Sequence, residues 1–186
     1  MVAPEGAWLG PERAEDRLRA AAPLLQRAGN EVESVLRGWS MGSTIPDGSR
    51  VRIQCGDPDG CERGDVVAIQ AGPQLVIHRI VARGRRMAAR NYVLTRGDAR
   101  WWMDPPVAVA SILGIVTAVE REDVWSPPRP PVGSPGRRFL RAIPCLMLRL
   151  ALEVSVPLAL ALGRLSNAAW LARRRLRTWL GALRSG

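Results

Sequence analysis

The stretch "DVVAIQAGPQLVIHRIVAR" (residues 65–83) holds two runs rich in Val and Ile, separated by Ala-Gly-Pro-Gln. β-Branched side chains are stiff at χ1 and fit a pleated surface, whereas Gly and Pro punctuate a turn. The reading is a β-hairpin: two antiparallel strands joined by a short loop. Outward from it, similar runs recur as "VRIQC" (51–55), "NYVLTR" (91–96) and "SILGIVTAV" (111–119), punctuated by Gly, Pro and Asp. Runs of that length and spacing predict antiparallel β structure over residues 31–124.

The flanks read differently. Residues 1–30 predict a short helical segment: Pro11 suits a first turn, acids sit early, and Leu18, Ala22 and Leu25 recur at helical spacing, with Pro23 interrupting. The segment is charged throughout, so neither a signal-peptide core nor a membrane span is expected there. Residues 125–138, beginning "WSPPRPPVG", form a stiff proline-rich linker. Residues 139–186 predict a basic, amphipathic helical tail. Its first part, 139–162, is apolar on most sides with Arg141, Arg149 and Glu153 on one stripe; in 164–184, Leu165, Ala169, Ala172, Leu176, Trp179 or Leu180, and Leu183 oppose Arg173, Arg174, Arg177 and Arg184.

Apolar residues make up 47% of the 186, enough for a sizeable core. All 27 basic residues are arginine, which excludes any mechanism built on a lysine amine. Charge is uneven: residues 137–186 carry ten arginines against Glu153 alone, +9 of the net +10, so the β region is nearly neutral. That balance argues against nucleic-acid binding by the body and points to an acidic surface met by the tail. Cys55 and Cys61 bracket "CGDPDGC"; either they are bridged in an oxidising compartment or they are free thiols beside a surface turn, and free thiols are expected. One histidine and no CxxC pair offer no metal site, and no cofactor is expected.

The chemistry-bearing residues are Ser40 in "RGWSMGSTIPDG" (37–48), His78 in "LVIHRIVAR", and the acids of "YVLTRGDARWWMDPPV" (92–107). A serine hydroxyl needs a base to take its proton, and a histidine near its reference pKa of about 6.5 can serve at neutral pH. A carboxylate behind the imidazole fixes its tautomer. Ser40, His78, and Asp98 or Asp104 supply those three types, with the two acids left as alternatives.

In order and spacing, these segments with "RGDVVAI" and "ILGIV" resemble the S26 signal peptidase family, over roughly residues 32–119. The histidine in "HRIV" resembles the endoplasmic-reticulum, archaeal and sporulation-type branch, where histidine replaces the lysine that most bacterial members share with the SOS-response repressors. The resemblance implies a mainly β, signal-peptidase-like domain. It implies Ser40 as nucleophile, His78 as general base, Asp98 and Asp104 as the branch's two acids, and the Ser40 amide as oxyanion donor. Met41 and Trp39 are implied at the substrate-facing wall. Ser43 stands where the family places proline, and Gly48-Ser49 where it places Gly-Asp.

The expected activity is cleavage of a leader or signal segment by a Ser/His/Asp serine endopeptidase; the alternative is a catalytically inactive peptide-binding module at a membrane surface. The expected partners are a peptide or preprotein and, through residues 139–186, an anionic membrane, with no nucleic acid. Attachment is expected to be peripheral or through one C-terminal span, in an otherwise cytoplasmic protein; the third option is that both helices fold back on the β domain or on a partner. Against the span, Arg149 and Glu153 would each cost about 3 kcal/mol near a bilayer centre, and Pro157 breaks the helix. Trp101 and Trp102 either line a cleft or anchor a loop.

Overall fold

The computed structural model describes residues 29–71, 74–85, 87–131, 135–165 and 168; the predicted N-terminal helix and residues 169–186 lie outside them. The strands are β1 (Glu31–Val35), β2 (Arg50–Cys55), β3 (Val66–Ala71), β4 (Gln74–Arg83), β5 (Tyr92–Arg96), β6 (Val107–Ala108), β7 (Ile112–Arg121) and β8 (Val124–Ser126). They form one antiparallel sheet in the order β1-β2-β7-β3-β4-β5-β6, with β8 also pairing β7. The ten-residue β7 is the spine: β2 runs along one edge, and β3 and β8 share the other. Gly114 permits this closeness, because a Cβ there would strike the Gln54 carbonyl and lie 2.8 Å from the Cys55 Cα.

The predicted hairpin is β3–β4, and the strands close up to an Ala71–Gln74 pair. β3 is buried on both faces, which is why it reads as an unbroken apolar run. Val66 and Ala68 pack with Leu36, Met41, Ile45, Val51, Ile53 and Val116. Val67 and Ile69, one residue out of phase, pack with Ile80, Val93 and Ile112 on the opposite side.

Cys55 and Cys61 are free thiols on either side of the turn that holds Pro58–Gly60, and their side chains are buried in separate core clusters. Burial, with Asp65 nearby, pushes the Cys61 thiol up to about 11. Such a thiol holds on the order of a hundredfold less thiolate at pH 8 than an ordinary cysteine. Alkylation of the native protein at that pH, followed by mass spectrometry, is expected to modify half-buried Cys145 well before Cys61.

The C-terminal part is bound to the sheet. Helix α1 (Pro135–Val154) begins inside the expected linker, and β8 extends the β region to Ser126. The helix stops at Ser155, not near residue 163 as the wheel suggests, and residues 156–165 are again helical. Ser155 caps that second stretch, its Oγ accepting from the Leu158 amide at 3.4 Å, and Pro157 falls in the first turn, where it is tolerated. Leu148, Ala151, Leu152 and Ala159 pack with Ala82, Ala89, Leu94 and Met103. No helix among the described residues is long and apolar enough to cross a membrane.

Candidate active site

Ser40 sits on a loop whose ends are tied together. At the neck, the Leu36 amide donates to the Ser49 carbonyl and the Gly48 amide to the Leu36 carbonyl, both at 2.9 Å. Across the loop, Asp47 Oδ1 accepts from the Gly38 amide at 2.7 Å. Gly38 there has φ 103°, a conformation that disfavours any side chain. Met41 and Ile45 drop from the loop into the sheet core, and Arg121 reaches from β7 to the Thr44 carbonyl at 2.7 Å. Both ends and the underside of the loop are thus held, with Ser40 half-buried on it.

β4 delivers the histidine. Successive strand residues point to opposite faces, so His78 shares a face with Ile80, and Arg79 lies on the other. His78 is 2% exposed and pairs with Val67 in the register of β3. Its Nδ1 donates to Asp104 Oδ2 at 2.5 Å. An ionised carboxylate only accepts; a neutral imidazole paired with one carries its proton on Nδ1 and presents the Nε2 lone pair, the tautomer a general base needs. Asp104 Oδ2 also accepts from the Thr95 hydroxyl at 2.8 Å, and the Asp104 amide donates to the Thr95 carbonyl at 2.9 Å. Arg100 stands 3.6 Å from Asp104 Oδ1. The carboxylate is therefore fixed by side chain and backbone together.

Gly97 places Ser40 beside the strand position next in register to the histidine. The β4–β5 register pairs Arg79 with Arg96 and Ile80 with Thr95. One step further along the same register sets Gly97 opposite His78. A Cβ on Gly97 would stand 2.9 Å from the Ser40 Cβ and still closer to the Ser40 carbonyl oxygen. Ser40 thus occupies the space a side chain at 97 would take, beside the residue opposite the histidine. Cβ atoms of such cross-strand pairs are about 5 Å apart. The contact is held by the Ala99 amide, which donates to the Ser40 carbonyl at 2.9 Å. Among the described residues, neither the Ser40 hydroxyl nor His78 Nε2 has a hydrogen-bond partner, and the Ser40 amide donates to no protein acceptor.

Replacing Gly97 with alanine is expected to force the two segments apart. Overpacking of this kind costs about 1–3 kcal/mol, so Gly97→Ala should lower the denaturation midpoint accordingly. An unchanged midpoint would show that Ser40 does not rest on this glycine.

The two acids left open by the sequence part company. Asp98 accepts from Arg79, its Oδ1 from Nε at 3.0 Å and its Oδ2 from Nη2 at 2.8 Å. Arg79 also donates to the Gly64 and Arg129 carbonyls. Asp98 is therefore a structural partner of the guanidinium, and Asp104 is the acid at the imidazole. Met41, expected at a substrate wall, is 1% exposed and anchors the loop from beneath instead. Trp39, beside the serine, is 75% exposed and available to a ligand. Trp101 and Trp102 are partly exposed on the turn that follows Gly97. Thr95, fully buried, was not singled out by sequence; a hydroxyl within the apolar run "YVLTR" needs a partner, and that is the signal it gives.

No protein-family model matches the chain, and no curated protein matches it in sequence.

Proposed function

We propose that the chain is a serine endopeptidase of the signal-peptidase type, acting on an extended leader or signal segment. The observation that carries this reading is the Nδ1–Asp104 bond of His78 combined with Ser40 seated over Gly97. In the proposed reaction His78 Nε2 takes the Ser40 proton as Oγ bonds to the scissile carbonyl carbon. The Ser40 amide, which has no acceptor among the described residues, meets the developing oxyanion, an interaction worth about 3 kcal/mol in comparable sites. Collapse breaks the C–N bond, and His78 passes its proton to the departing amine. Water, deprotonated by the same nitrogen, then releases the acyl group and restores Ser40. The order of the serine, histidine and aspartate segments along the chain supports the same reading.

A second reading is favoured by the missing hydrogen bond between Ser40 and His78: the same fold as a peptide-binding module without turnover. The two are separated by incubating the full chain with leader-type peptides bearing small residues before the scissile bond, with mass spectrometry of the products. Cleavage at one defined bond is the expected outcome. Saturable binding with intact peptide would overturn the peptidase.

A further inference from the structure

The two helices that pack on the sheet are apolar on their outer side as well. Ile143, Met147, Leu150 and Val154 recur every three or four residues on α1 and are at least half exposed, Val154 reaching 80%. Leu158 and Leu162 continue the stripe on 156–165 at the same spacing. These side chains point away from the face that holds Leu148, Leu152 and Ala159. A soluble surface rarely exposes a contiguous apolar patch of this extent unless something covers it.

The charge around the stripe indicates what covers it. Glu153 is the single acid of residues 137–186, and it is engaged, its Oε1 accepting from the Arg85 amide at 2.7 Å. Arg149 and Arg164 lie on these same helices, and Arg173, Arg174, Arg175, Arg177 and Arg184 follow in the chain. An apolar stripe in a segment whose charged residues are almost all arginine suits a surface with hydrocarbon beneath and negative charge above. Leu152 and Ala159 hold the helices to the sheet, so they lie along such a surface rather than enter it.

From this we infer that the outer face of α1 and residues 156–165 docks on anionic phospholipid, with the helices remaining packed on the β-sheet. The inference stands apart from the peptidase reading, since neither the stripe nor its arginines belong to the Ser40 site.

The test is flotation of the full chain with phosphatidylglycerol-containing vesicles and with pure phosphatidylcholine vesicles. A double variant, Met147→Glu with Leu158→Glu, is run beside it. Both positions are exposed, so the variant should melt like wild type, and the melt is recorded to establish this. Expected is binding of wild type to anionic vesicles at least tenfold above neutral ones, and at least a tenfold loss in the variant. Equal binding to both lipids, or undiminished binding by a folded variant, overturns the proposal. A wild type that ignores vesicles but is dimeric, with a monomeric variant, assigns the face to a second copy and also overturns it. Should the variant unfold, Arg149→Gln with Arg164→Gln takes its place, and unreduced anionic binding overturns the proposal in the same way.

Discussion

Ser40→Ala is expected to reduce peptide cleavage to background, a fall of about a thousandfold or more. No other group in the site can replace the hydroxyl: the chain has no lysine, and Cys55 and Cys61 are buried in separate core clusters. His78→Ala should fall to a similar floor, and the double variant no further, because nucleophile and base act as one unit. The hydroxyl has no hydrogen-bond partner among the described residues, so its removal should leave stability within about 0.5 kcal/mol of wild type. Initial rates on a quenched leader peptide, with urea denaturation of the same samples, check both halves. A Ser40→Ala protein that keeps the wild-type rate would remove Ser40 from the mechanism.

The second large effect separates the two aspartates. Asp104→Asn keeps the shape but lets the amide donate to His78, favouring the tautomer whose Nε2 carries the proton. In a comparable triad such a change costs about ten-thousandfold in turnover. Asp98→Asn should instead act on folding. Arg79 and Asp98 are nearly buried, at 12% and 7% side-chain exposure. Stripping the charge from one partner of such a pair costs about 3 kcal/mol. Turnover and denaturation midpoint, measured on both variants, should therefore move in opposite pairs: Asp104→Asn slow and stable, Asp98→Asn fast and fragile. Loss of turnover in a folded Asp98→Asn protein would return that acid to the site.

Much of the sheet was legible in the chain because strand and turn chemistry are local. The β3–β4 hairpin announced itself through valine and isoleucine on either side of Gly-Pro, and β7 through its long β-branched run. The site was legible only as an inventory. Asp98 and Asp104 have the same chemistry in sequence and are six residues apart; what distinguishes them is which face of β4 each meets, and that depends on the pairing of two strands. Met41 misled for a related reason, since nothing local says which way a loop residue turns. The tail misled through periodicity. Residues 139–162 read as one helix, yet Ser155 offers a cap two residues before Pro157, and the chain breaks there.

The neighbours His78 and Arg79 show how this arrangement stores its chemistry. β4 sends one to each side, and each finds an aspartate from the same short segment after β5. Sliding β4 by a single residue would hand the guanidinium to one acid and the imidazole to the other. Every charge could still find its opposite, yet arginine, protonated at any physiological pH, would stand where a proton must be accepted. The meaning of these residues is therefore carried by odd and even: an identical composition, displaced by one step, would keep its grammar and lose its verb.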